Sequence, residues 1–232
     1  MKNKISQYNR QVMTATAEEI IAFVAEKFGD KIAFATSLGA EDQVLTDMIA
    51  KIAPGLRIFT LDTGRLFQET YDLVDITRKK YKIDIHVAFP EAYDVEEMVS
   101  SKGPNLFYDS LENRKLCCHI RKIEPMKRAL LGTDAWISGL RKEQSITRMD
   151  LNVFEWDETF NRIKVNPLIN WTSVQVWDYI RNNKVPYNTL HDKGFPSIGC
   201  QPCTRAVLPG EDMRAGRWWW ESTEKKECGL HK

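Results

Sequence analysis

Four of the five cysteines in this chain fall into two pairs. Cys117 and Cys118 are adjacent in CCHIRK, and Cys200 and Cys203 are spaced C-x-x-C in GCQPCT. Two separated thiolate pairs form a ligand set for a metal centre that would fix the chain between them. Tetrahedral sulfur ligation suits zinc or an iron–sulfur cluster; spacing alone does not choose, although adjacent cysteines are an uncommon zinc pattern. Four unrelated buried thiols are the plainer alternative. Cys228, in KKECGLHK, is left over. Lys225, Lys226 and His231 surround it in sequence, and nearby cations raise a cysteine's thiolate fraction, so Cys228 is a nucleophile candidate.

These residues need a scaffold, and the first two-thirds of the chain alternate strand and helix patterns. TATAEEIIAFVAEKF reads as a helix with Thr16 and Glu19 spaced as a capping box. KIAFAT (31–36), LRIFTLDT (56–63), DIHVAFP (84–90) and DAWISGL (134–140) read as strands. Helices are expected from Glu41 to Ile52, from about Leu66 to Lys80, at about Val95–Ser100 and over Leu116–Leu131. This alternation predicts βαβ units and an α/β fold with a doubly wound, mostly parallel sheet. After about residue 150 the pattern changes: one helix is expected from about Thr172, followed by a loop-rich stretch opened by Pro186. The expected organisation is a nucleotide- and cluster-binding α/β domain over 1–204 and a mobile C-terminal arm over 205–232.

Ligands of such sheets bind beyond the carboxyl ends of the strands, so the strand ends matter most. The first strand runs into TSLGAED, a Ser–x–Gly turn entering a helix, whose backbone N–H groups could hold an anion. A plain turn with Ser37 as N-cap is the alternative. The absence of Gly-Lys-Ser/Thr excludes a Walker A loop. Asp62, Thr63 and Gly64 at the end of the second strand could meet a ribose or base, and Arg141, Lys142 and Arg148 place charge after the fourth. Beside the first cysteine pair lie His119, Arg121 and Lys122, and on a helix Cys118 and Lys122 share a face. Arg214 and Arg217 add an i, i+3 cationic pair suited to phosphate or sulfate. Trp218, Trp219 and Trp220 cannot all face one core, so one or two should pack and an exposed one is available to a protein partner.

Composition narrows the class. The chain has 232 residues, 43% hydrophobic and 28% charged, with a formal net charge of +1. That balance is globular and gives no bulk reason to expect nucleic-acid or membrane binding. No apolar run approaches the ~20 residues needed to span a bilayer, and the polar N-terminus does not read as a signal peptide. A reducing cytoplasm is the expected compartment, where paired cysteines mean metal or redox chemistry more often than disulfides.

In chain order, SLGAED, LDTGRL, CCHIRK, GLRKEQS, GCQPCT and the terminal ECGLH resemble the cluster-bearing, adenylyl-sulfate (APS)-reducing branch of the APS/PAPS reductase family. The likeness runs from about Ala33 to the C-terminus. It implies an adenine-nucleotide α-hydrolase-like fold and a [4Fe–4S] cluster on Cys117, Cys118, Cys200 and Cys203. It makes Cys228 the nucleophile and gives substrate binding to Ser37, Asp62, Lys122, Gly139, Arg141, Arg214, Arg217 and His231. The implied reaction, part of sulfate assimilation, is attack of the Cys228 thiolate on the sulfur of APS. AMP leaves, and a cysteine S-sulfonate remains for thioredoxin or a similar dithiol donor to discharge as sulfite. The loop lacks the second glycine of the SGGxDS pattern of related ATP pyrophosphatases, so a substrate without a triphosphate fits better. The competing readings are a reductase of the 3′-phosphorylated nucleotide (PAPS) or of both, an ATP pyrophosphatase that thiolates its substrate, and a zinc-bound binding module. Self-association into a homo-oligomer is left open.

Overall fold

The alternating pattern folds into a six-stranded sheet in the computed structural model, which describes residues 1–144 and 150–221. The chain order is α1 (Ile5–Gln11), α2 (Ala17–Phe28), β1 (Ile32–Thr36), α3 (Ala40–Ile52), β2 (Arg57–Leu61), α4 (Gln68–Tyr81), β3 (Ile85–Ala88) and α5 (Ala92–Lys102). It continues through α6 (Leu111–Cys118), α7 (Glu124–Ala129), β4 (Ala135–Ile137), β5 (Phe154–Asp157), β6 (Arg162–Val165) and α8 (Ser173–Asn182). The sheet order is β3-β2-β1-β4-β6-β5. β1 pairs in parallel with both β2 and β4, β4 with β6, and β5 closes one edge antiparallel to β6. The order runs one way from β1 through β2 to β3 and the other way from β1 to β4. The doubly wound expectation holds, with the topological switch between β1 and β4, where open α/β sheets bind ligands.

Local chemistry explains the well-read elements. The Thr16 hydroxyl accepts from the Glu19 N–H while the Glu19 carboxylate accepts from the Thr16 N–H, which starts α2. Thr172 and Gln175 repeat the device at α8. Two parts carry little signal in the sequence. The polar N-terminus forms α1, where Asn9 exchanges two hydrogen bonds of 2.9 Å with the backbone of Phe154 and so covers part of edge strand β5. The β5–β6 hairpin was read only as a change of pattern after residue 150.

The contacts divide the chain into two units. The first comprises Met1–Thr60, Thr70–His86 and Gly132–Asn188. Its core is one apolar cluster that includes Val24, Phe34, Val44, Met48, Ile137 and Val165. The second comprises Leu61–Glu69, Val87–Leu131 and Thr189 onward. Its core is small: Met98, Leu106, Phe107 and Trp218 pack with Cys117, Cys200 and Cys203. Three of that core's seven buried members are cysteines. A core this thin in hydrocarbon is the kind that a metal commonly stiffens.

Candidate functional site

In the first unit the chemistry gathers at the switch point. Ser37 follows β1 and Gly139 follows β4. Ser37 is not the N-cap of α3; Gly39 holds that place and supplies no side-chain cap. Instead the Ser37 hydroxyl and backbone N–H both donate to Asp42 Oδ2, each at 2.6 Å. The Gly139 N–H also donates to Asp42. A Cβ at Gly139 would come within 2.2 Å of Asp42 Oδ1, so only glycine lets the two strand-end loops close on this carboxylate. Burial pushes the Asp42 carboxyl up to about 6, against the lowering effect of these donors. Sequence reasoning missed Asp42, although Glu41 and Asp42 form an acidic pair in the first helical turn. Arg141 sits close by in sequence, 2% exposed, with its guanidinium engaged by Glu41, Glu143 and the Trp171 carbonyl. An anion arriving at Arg141 would compete with two carboxylates.

In the second unit the two cysteine pairs come together. Cys117 and Cys118 end α6, and a five-residue π-helical turn, His119–Ile123, follows directly and carries Arg121 and Lys122. The π turn replaces the uninterrupted helix expected over this stretch; such turns recur at functional sites. Cys200 opens the short 3-10 turn that ends at Cys203. All four thiols are unbonded to one another, and they line one cavity with Arg65, Phe107, Arg114, Arg121, Lys122, Pro202, Arg217 and Trp218. The cavity encloses about 380 Å³ of empty space, its open mouth included.

The electrostatics of this cavity are opposed. Burial pushes the Cys203 thiol up to about 12 and raises Cys117, while Lys122 and Arg217 pull on Cys203, and Arg121 and Arg65 on Cys117, in the other direction. Buried thiols of this kind are inert on their own, whereas a metal supplies the positive charge that makes them thiolates. Among the described residues, no three His, Cys, Asp or Glu side chains converge closely enough to hold a single ion. The four cysteines share the lining of this one cavity. Thr63 Oγ1 lies 3.3 Å from Cys200 Sγ. It already accepts from the Arg65 N–H, so its own proton is available to the sulfur.

The other expected residues are placed as follows. Asp62 is buried, and its side chain accepts from the Gly64 N–H at 2.7 Å in a tight turn where Gly64 has φ +68°. Arg121 donates to the Thr63 carbonyl at 2.6 Å and so ties that turn to the π turn. Arg217 is half-buried, not a free surface side chain; a Cβ at Gly199 would come within 2.4 Å of its Nη2. Arg214 lies outside the cavity lining. Trp218 is buried, Trp219 is exposed and Trp220 packs against Tyr108, as one core contact plus an exposed ring requires. Cys228 and His231, together with Arg148, lie outside the described residues. Arg114, which also lines the cavity, was missed; a single arginine on an exposed-looking helix gave no signal.

Sheet and switch-point loops define an α/β protein of the adenine-nucleotide α-hydrolase-like class. Residues 31–206 match the phosphoadenosine phosphosulfate reductase domain, and the chain belongs to that family. It is 51% identical over 218 residues to a protein of Allochromatium vinosum named adenosine 5′-phosphosulfate reductase, covering 94% of this chain and 85% of that protein. A protein of the same name from Neisseria meningitidis serogroup B is 52% identical over 200 residues, 86% of this chain and 81% of that protein. The crystal structure of phosphoadenylyl-sulfate (PAPS) reductase from Candida auris, a phosphate complex, superposes with a TM-score of 0.76 at 32% identity. That match covers 89% of this chain and 98% of the other. FMN adenylyltransferase of Candida glabrata, at 15% identity and a TM-score of 0.57, shares the fold.

Proposed function

We propose that this chain reduces adenylyl sulfate to sulfite and AMP, with a dithiol protein of the thioredoxin type as electron donor. The observation that carries the reading is the cavity in which the four cysteines meet Arg65, Arg114, Arg121, Lys122 and Arg217. It occurs in a chain about half identical to proteins named for that activity. The donor set fits a [4Fe–4S] cluster held by Cys117, Cys118, Cys200 and Cys203: all four candidate ligands are sulfur and they line one cavity. Bound there, the cluster would supply a fixed local field and a staple for the second unit's core, with no change of oxidation state required.

In this reading residues 1–204 bind nucleotide and cluster, and the arm over 205–232 carries the nucleophile. The Cys228 thiolate attacks the sulfur of adenylyl sulfate. An S–S bond forms, the S–O bond to the phosphate breaks, and AMP leaves with the bridging oxygen and its electron pair. A donor thiolate then attacks Cys228 Sγ and expels sulfite. The donor's second thiol resolves the mixed disulfide, so the donor is oxidised by two electrons and Cys228 is regenerated. Lys122 and Arg217 stabilise the charge that builds on the sulfonyl and bridging oxygens. Ser37, held with Gly139 by Asp42, sets the loop for the nucleotide; Asp62, Arg141, Arg214 and His231 complete the proposed substrate contacts. Free thiols in the core suit a reducing cytoplasm, and no helix among the described residues is long and apolar enough to cross a membrane.

The likeness to a PAPS reductase makes the 3′-phosphorylated nucleotide the second substrate to test. The extra phosphate needs cations of its own. Arg65, which follows β2, is already engaged by the Pro104 carbonyl and Asn105. Comparison of kcat/KM for the two nucleotides with reduced thioredoxin decides the matter: a clear preference for adenylyl sulfate is expected, and equal or reversed values would make this a dual or PAPS-type enzyme.

A further inference from the structure

Arg114 is a charged side chain in a place where charge is costly. It lies on α6, one turn before the adjacent cysteines, and is 1% exposed. A guanidinium so buried persists only if its surroundings hold it. Three groups do. Its Nε donates to Glu221 Oε1 at 2.5 Å in an ion pair 1% and 10% exposed. Its side chain hydrogen-bonds Cys118. Its Cζ lies over the Trp218 ring, 4.5 Å from the centroid.

Trp218 links this group to Arg217. It is 1% exposed and has φ +41°, a conformation that a bulky non-glycine residue adopts only when its surroundings over-determine it. Its N–H donates to the Cys203 carbonyl at 3.1 Å. The Arg217 Cζ lies over the same ring at 4.7 Å, and Arg217 Nε is buried with no hydrogen-bond partner. Arg217 is positioned by this stacking together with the Ser197 hydroxyl, which accepts from Nη1 at 3.4 Å, and the close approach of Gly199. Displacing the indole would displace the guanidinium.

We propose that Arg114 is a positioning residue for anion binding by Arg217, acting through the Trp218 ring and anchored by Glu221. The helix that carries Cys117 and Cys118 thereby sets the affinity of Arg217 for the sulfate or phosphate group of the substrate. The inference rests on the proposed role of Arg217 as a holder of that anion.

The test is the dissociation constant for adenylyl sulfate, measured by equilibrium dialysis on metal-loaded protein in a Cys228→Ser background, which cannot turn the ligand over. Glu221→Gln is the informative variant because it removes a negative charge. A simple field effect would tighten anion binding, whereas loss of positioning weakens it. The expected result is weakening by about fivefold or more at unchanged metal content, and little further weakening when Glu221→Gln is added to Arg217→Ala. Arg114→Lys, which keeps the charge but loses the planar stack, should also weaken binding. If Glu221→Gln does not load metal, Trp218→Phe takes its place in the same cycle. Tighter or unchanged binding, or effects additive with Arg217→Ala, would overturn the proposal while leaving the reductase reading intact. Failure of the Cys228→Ser protein itself to bind adenylyl sulfate would overturn both.

Discussion

Asp42 holds Ser37 through two hydrogen bonds of 2.6 Å, one from the hydroxyl and one from the backbone N–H. The negative charge that this loop could accept from a ligand is thus partly supplied by the chain itself, one turn into α3. The carboxyl is buried and pushed up to about 6 from an ordinary 3.8. Between those values the folded protein holds a proton that the unfolded chain has released. Stability is therefore highest below about pH 4, falls by roughly 3 kcal/mol as pH rises to about 6, and is level above it. Asp42→Asn should remove that slope. Urea midpoints of both proteins from pH 4 to 7 check it: the stability of the asparagine variant relative to wild type should rise with pH, and a constant difference would contradict the account.

Gly139 has the complementary constraint. A methyl at this position would sit 2.2 Å from Asp42 Oδ1 and 3.0 Å from Glu41 Cβ. Gly139→Ala must push the two strand-end loops apart, at about 1–3 kcal/mol of overpacking. Thermal unfolding should fall by several degrees, and binding of AMP should weaken more than a surface substitution would explain. An alanine variant with wild-type melting and AMP affinity would show that the contact relaxes without cost.

Thr63 Oγ1 lies 3.3 Å from the sulfur of Cys200, one of the proposed metal ligands. Thr63→Val keeps the shape and removes the donor. Partners that support a ligand in this way typically contribute about 10–100-fold to metal retention. Iron release to a chelator should accelerate on that scale in the valine variant. Cys117→Ser, Cys118→Ser, Cys200→Ser and Cys203→Ser should each lose iron and sulfide altogether, and a fully loaded serine variant would mean that the pairs serve another purpose.

The first four strands were legible because buried β-strands of an α/β sheet read as short apolar runs, such as IAFAT in β1. α2 and α8 announce themselves through capping boxes that depend on neighbours in sequence. The β5–β6 hairpin did not, because its alternation is masked by charges that the fold buries: Asp157 is 6% and Lys164 is 5% exposed. The π turn differs from an α-helix by one hydrogen-bond register and has no compositional mark. In the site, cysteine pairs were visible from spacing, since sulfur has few uses in such patterns. Asp42 and Arg114 were not, because their roles come from burial against Gly139 and Trp218, partners about 100 residues away in sequence.

The central claim is a covalent step on Cys228, and one measurement tests it directly. Metal-loaded protein is mixed with adenylyl sulfate in the absence of any dithiol and analysed by mass spectrometry of its C-terminal peptide. The account predicts one added sulfonate on Cys228, one AMP released per chain, loss of the adduct as sulfite when reduced thioredoxin is added, and no adduct or turnover with Cys228→Ser. Sulfite formation by the serine variant at a rate near wild type, or turnover by wild type with Cys228 never modified, would contradict it.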